Sequence, residues 1–182
     1  MVYRERKTPS LKEHIPFSMY ERNKIWLDCA SGDGYVVADG FIRGREKNKS
    51  IVPGNYICVD MDRKKLKRMA EKGCKTICID LEQSDIKEYV QKADVILCLE
   101  TLEHLEKKTA ERLVKNFVTI LEKEGIMIIT FPSNVSFDLK EGKLLNKHQP
   151  NVEEIYKYKE YFSDTIKTMW HKTHILVFRG KK

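Results

Sequence analysis

The pattern of apolar and amphipathic segments predicts an α/β domain. Its sheet is mostly parallel and twisted, with helices on both faces, and it finishes in a C-terminal antiparallel hairpin. Three observations carry this. Short apolar runs rich in Val, Ile, Leu and Cys, without polar alternation, recur along the chain and alternate with amphipathic stretches. The first run, Ile25-Trp26-Leu27-Asp28-Cys29, ends beside an acidic residue and breaks into the turn Ala30-Ser31-Gly32-Asp33-Gly34. The last two runs stand only a few residues apart, a gap that admits a hairpin but no helical crossover.

Taken in order, Ile25–Cys29, Tyr56–Asp60, Thr76–Asp80, Val95–Leu99 and Ile126–Phe131 read as parallel strands buried on both faces. Between them, Tyr35–Arg45, Arg63–Lys72, Gln83–Gln91 and Lys107–Lys123 read as helices. Leu113, Phe117, Ile120 and Leu121 give the last a helical apolar stripe, whereas Gly40 and Gly44 weaken the first. Asp164–Trp170 and His174–Arg179 form the closing hairpin. The 182 residues suit one three-layer domain over residues 24–182, preceded by an N-terminal segment, residues 1–23. Residues 132–161 lie outside the plain sheet-and-helix core.

The composition is 41% hydrophobic and 34% charged with both signs mixed, which suits a folded core rather than a disordered chain. No apolar run approaches a membrane span and the first twenty residues lack a signal-peptide core, so a soluble, cytoplasmic protein is expected. Cys29, Cys58, Cys74, Cys78 and Cys98 include no C-x-x-C pair. All but Cys74 sit in strand-like runs, so reduced core cysteines are expected, not a disulfide framework or a cysteine zinc site.

A strand, a glycine-rich turn and a helix together build a nucleotide-type pocket, because glycine lets the backbone approach a ligand and the helix start offers free N–H groups. Asp28 and Asp33 beside that turn would repel a pyrophosphate, and Val37 stands where a third glycine of G-x-G-x-x-G would fall. Both carboxylates suit a ligand carrying positive charge. The stretch resembles the first motif, D-x-G-x-G-x-G, of the class I S-adenosylmethionine-dependent methyltransferases, with Ala30 in the first glycine place. An ordinary tight turn is the other reading. The resemblance extends over residues 24–180 and implies that family's fold, with residues 1–23 and 132–161 capping the open end of the sheet and choosing the acceptor.

Ligands of open α/β sheets bind outside the carboxyl ends of the strands, so the strand ends carry the remaining candidates. By resemblance, Asp28, Ala30, Gly32 and Gly34 cradle the methionine side of S-adenosylmethionine. Asp60 takes its ribose hydroxyls, Asp80 and Leu81 its adenine, and Met61 and Leu99 belong to the same pocket. Helix capping by Asp62 and a turn role for Asp80 are the structural alternatives. The run Glu100-Thr101-Leu102-Glu103-His104-Leu105 resembles the family's fourth motif in its E-x-x-E-H-L form. That form occurs in methyltransferases of quinone precursors and other small molecules, and in RNA 2′-O-methyltransferases that bind a divalent metal through two Glu and two His. If the chain turns helical after Leu99, Glu100, Glu103 and His104 share a face. The resemblance to that subfamily implies His148 as the fourth ligand of a Mg²⁺ or Mn²⁺ site with them, and Phe131-Pro132-Ser133-Asn134 is similar to that subfamily's T-P-N turn. Without metal, Glu103, His104 and His148 are the candidates to take a proton from a hydroxyl acceptor.

The N/D-P-P-Y/F motif of amino-group nucleic-acid methylation is absent, and no Pro-Cys pair follows a strand. The formal charge is +7. Arg43, Arg45, Lys47 and Lys49 form the densest basic loop, at the end away from the pocket. Arg4, Arg6, Lys7, Lys140, Lys143, Lys147, His171 and Lys172 are expected on the pocket side, which suits a phosphate-bearing acceptor. An RNA hydroxyl and a small-molecule hydroxyl are therefore equal candidates. A domain this small leaves room for an oligomer or partner subunit to complete the acceptor site. The rival classes are a non-catalytic S-adenosylmethionine-binding subunit and a nucleotide-dependent oxidoreductase.

Overall fold

The computed structural model describes residues 14–32, 52–132, 152–170 and 173–182. The expected helix at Tyr35–Arg45, the basic loop at 43–49 and most of the 132–161 segment lie outside them.

A seven-stranded sheet runs in the order β3-β2-β1-β4-β5-β7-β6. Its strands are β1 (Trp26–Cys29), β2 (Tyr56–Asp60), β3 (Lys75–Cys78), β4 (Ala93–Leu99), β5 (Leu121–Pro132), β6 (Phe162–Trp170) and β7 (Thr173–Lys181). β1 to β5 are parallel, and β7 inserts antiparallel between β5 and β6. Each expected strand is present, and β5 begins five residues earlier than its apolar run.

The sheet is covered on both sides because successive side chains along each strand alternate between its two faces. Trp26, Tyr56, Cys58, Val95 and Leu97 pack beneath Leu66 and Met69 of helix α1 (Arg63–Glu71) and beneath Ile15 and Met19. Leu27, Val59, Ile96 and Cys98 pack on the other side with Ala110, Leu113 and Phe117 of helix α2 (Lys107–Ile120). Helix α3 (Val152–Tyr156) adds Ile155 to that second core. Residues 14–20 thus lie against a sheet face, where Trp26 Nε1 donates to Met19 O at 3.1 Å and Arg179 Nη2 to His14 O at 2.8 Å.

Four expectations need correction. Gln83–Gln91 forms no α-helix, only a 3-10 turn at Ile86–Glu88. Asp80 and Asp85 are the reason: Asp80 Oδ1 accepts the Glu82 N–H, Asp80 O accepts those of Gln83 and Ser84, and Asp85 caps Lys87. Side chains that bond nearby backbone groups compete with helix formation. β3 is an edge strand whose Lys75, Thr76 and Cys78 are exposed, so it is not buried on both faces. Among the cysteines, Cys74 is buried and Cys78 exposed, the reverse of their expected places, and all five are free. Finally, the chain does not turn helical after Leu99. Glu100 takes φ +48, and a 3-10 turn follows at Leu102–His104.

Candidate active site

The carboxyl ends of β1, β2 and β4 meet at the centre of the sheet. β1 ends in Ala30 at φ +56, Ser31, whose N–H donates to Val59 O at 3.0 Å, and Gly32 at φ +58. The chain therefore turns sharply off the strand through two left-handed residues. Glycine meets that requirement without strain and alanine does not. The difficulty at position 30 is conformational, not one of size. Among the described residues, a Cβ built at Gly32 meets nothing within 4 Å, so the backbone there is open to a ligand. Gly34 lies outside the described residues.

Asp60 locks this turn. Its Oδ2 accepts the Gly32 N–H at 2.8 Å and its Oδ1 the Asp62 N–H at 2.8 Å. An ionised carboxylate has about four acceptor sites, so both oxygens retain capacity for hydroxyl donors. Asp62 caps α1 by accepting the Lys64 N–H at 2.9 Å, which separates the two acids by role. Met61 between them is 70% exposed.

Asp28 is buried on the face of β1 shared with Trp26, where Tyr56 Oη donates to its Oδ2 at 2.8 Å. Burial pushes its carboxyl up to about 7. The Tyr56 hydrogen bond opposes that rise, and the nearby Asp60 adds to it. Tyr56 is a residue that the sequence reading missed. Its pairing with position 28 is visible only through the β1–β2 register, which sets Asp28 beside Cys58.

On the adenine side of the expected pocket, Asp80 is half-buried and shapes its own turn. Leu81 is buried in the core, and α2 holds the loop through Arg112, whose Nη2 donates to Leu81 O at 2.8 Å and Glu82 O at 2.9 Å. Leu99 is half-buried at the end of β4.

After β4, the left-handed Glu100 is pinned from β5 and β7. Its N–H reaches both Thr130 O at 3.2 Å and Thr130 Oγ1 at 2.9 Å, and Thr173 Oγ1 donates to its Oε1 at 3.0 Å. Thr130 and Thr173 had no signal in the sequence, since they meet Glu100 only through strand pairing. Glu103 is buried, and among the described residues its Oε2 has no hydrogen-bond partner. Desolvation pushes its carboxyl up to about 8; a backbone hydrogen bond opposes this, and Glu100 adds to it. His104 is exposed, with Nε2 3.9 Å from Glu103 Oε1.

The described residues do not support a metal site: Glu100 Oε1 accepts from Thr173, Glu103 is buried and His104 is exposed. Among the described residues no three His, Cys, Asp or Glu gather as a metal ion requires. His148 lies outside the described residues.

A family of methyltransferase domains matches residues 3–174. Among solved structures, an O-methyltransferase family protein from Burkholderia thailandensis superposes with a TM-score of 0.65 at 13% identity, over 87% of this chain and 51% of that one. A SAM-dependent methyltransferase from Archaeoglobus fulgidus gives 0.64 at 13% identity, over 93% and 90%. Magnesium protoporphyrin IX methyltransferase from Synechocystis PCC 6803, with bound SAM, gives 0.59 at 15% identity, over 88% and 71%. The chain spans about half the length of the Burkholderia protein and of a carbon methyltransferase, CurJ, that it also resembles. These likenesses share the parallel sheet and terminal hairpin. A comparison with curated protein sequences finds no match.

Proposed function

Because the chain belongs to the methyltransferase-domain family, we propose that it transfers a methyl group from S-adenosylmethionine to a hydroxyl acceptor, through a site of the E-x-x-E-H-L type. The observation that carries this is the Asp60 carboxylate, which fixes the open Gly32 turn and keeps acceptor capacity for a ribose diol. The cofactor, when bound, supplies an electrophilic methyl group on a sulfonium. The buried Asp28 lies behind the turn and favours a cationic ligand once ionised. Met61 and Leu99 offer apolar surface, while Asp80 and Leu81 define the loop beyond β3.

Displacement at a methyl group needs an aligned acceptor, and a hydroxyl also needs its proton removed. His104 is the exposed base that accepts that proton on its imidazole. Glu103 stands behind it and, once ionised, stabilises the imidazolium. The 3.9 Å separation is longer than a hydrogen bond, so Glu103 acts on the imidazole through charge. An RNA 2′-hydroxyl and a small-molecule hydroxyl both satisfy this chemistry.

The test is transfer of labelled methyl from S-adenosylmethionine into a cell extract fractionated by size, with and without RNase. Label in a large RNase-sensitive fraction identifies an RNA acceptor, and label in the small fraction a metabolite. Saturable cofactor binding with no label in any fraction would leave a binding subunit and sink the catalytic reading.

A further inference from the structure

One stretch of the described fold is strongly basic. From Arg63 to Lys75 there are seven Lys and Arg against one acid, Glu71, a net of +6 where the whole chain carries +7. This stretch comprises α1 and the turn into the edge strand β3. Leu66 and Met69 anchor α1 in the core, and Arg63, Lys64, Lys65, Lys67 and Lys75 are exposed. Lys67 meets Glu71 at 3.9 Å, and both side chains are largely in solvent.

Helix stability does not explain this composition. Arg63 with Lys67, and Lys64 with Arg68, are like-charge pairs at i,i+4 that weaken a helix. Three cations fill the first turn, which carries no acid, against the positive end of the helix dipole. A surface helix selected only for solubility would alternate signs. Local choices that oppose the fold mark functional surfaces. The exposed face of α1 consists of cationic side chains with Ala70 and Glu71, and its apolar side chains are committed to the core. A membrane-surface helix would instead turn an apolar face outward.

We propose that α1 and the adjoining β3 edge form a docking surface for the phosphate backbone of a nucleic acid, with single-stranded RNA as the partner. Lysines and arginines spaced along a helix and continuing onto a sheet edge match a row of phosphates. They supply affinity without base recognition. The surface begins three residues after Asp60 at the carboxyl end of the sheet and runs back along α1 to Lys75 at the amino end of β3, so its Arg63 end alone adjoins the Gly32 turn. The proposal holds whether or not the bound RNA is the methyl acceptor, and its test reads binding rather than transfer.

The experiment is fluorescence anisotropy of the full chain with a labelled single-stranded RNA of about twenty nucleotides, at several salt concentrations. The comparison uses the variant Arg63→Gln, Lys64→Gln, Lys65→Gln, Lys67→Gln and a control with equal charge loss on the α2–α3 side, Lys107→Gln, Lys157→Gln, Lys159→Gln, Lys167→Gln. Thermal unfolding of each confirms folding, and the α1 variant is expected to melt no lower than wild type because its like-charge pairs are gone. Wild type should bind with steep salt dependence. The α1 variant should lose at least about tenfold in affinity, with the log–log salt slope flatter by about 2 to 3, while the control stays within about threefold. Equal losses in both variants, or no RNA binding by wild type, would overturn the proposal. So would binding to phosphatidylserine vesicles without binding to RNA.

Discussion

Replacing Glu103 by Gln isolates the cost of a buried carboxylate from its use. The folded chain holds the Glu103 proton up to about 8, whereas the unfolded chain releases it near 4.5. Between those values the folded state binds more protons, so Glu103 makes stability fall as pH rises through the window. At about 1.4 kcal/mol per pH unit, the whole window is worth at most about 5 kcal/mol. A buried acceptor left unmade, such as Oε2, costs about 1 to 3 kcal/mol, which sets the lower end. Gln cannot ionise. The variant should therefore gain about 3 kcal/mol on wild type between about pH 5.5 and about pH 8.5. For a chain this long that is about 6 to 12 °C in Tm, readable by circular dichroism melts at each pH. Catalysis should move the other way. Wild-type turnover should rise as Glu103 ionises through about 8, and the variant should lack that rise. A Tm difference that stays flat across the window would refute the reasoning, because the carboxyl would then titrate as in water.

Three further outcomes follow from the same geometry. Ala30→Gly relieves a left-handed alanine at φ +56 and should raise stability by up to about 1 kcal/mol after the extra chain entropy of glycine, so an unchanged or lower melting temperature would count against the turn as drawn. Gly125→Ala should cost about 1 to 3 kcal/mol, because its Cβ would stand 2.8 Å from Glu122 O and 2.9 Å from Asp94 O at the start of the β4–β5 pairing; urea denaturation measures it. Affinity for S-adenosylmethionine should rise with pH up to about 7, by no more than about tenfold per pH unit, as the Asp28 carboxyl ionises toward a cationic ligand. A calorimetric titration series that is flat with pH would remove Asp28 from that role.

Much of this architecture was legible because parallel strands buried on both faces leave an unmistakable sequence. Tyr56–Asp60 reads off the chain residue for residue, and α1 ends within one residue of its apolar pattern. Two of the misses arise from side chains that bond backbone groups, and the exposure of β3 and Cys78 arises from the edge position of that strand. Asp80 and Asp85 spend their carboxylates on nearby N–H groups and leave a turn where the periodicity suggested a helix. Thr130 captures the Glu100 N–H and holds a left-handed residue where a helix was expected. At the site, the acidic strand ends were visible, but their partners were not. Tyr56 at Asp28, Gly32 at Asp60 and Thr173 at Glu100 are contacts between elements 28 to 73 positions apart. The charge on α1 was in plain view, yet its significance needed the core contacts of Leu66 and Met69 to show which side faces water.

The most direct test of the central claim is calorimetric titration of S-adenosylhomocysteine into the wild-type chain and into Asp60→Ala. The account predicts saturable binding by wild type, weakened about ten- to a hundredfold in the variant through loss of charged hydrogen bonds to the Gly32 turn and to a ribose diol. No binding by wild type, undiminished binding by the variant, or preference for a nicotinamide dinucleotide in the same cell would contradict it.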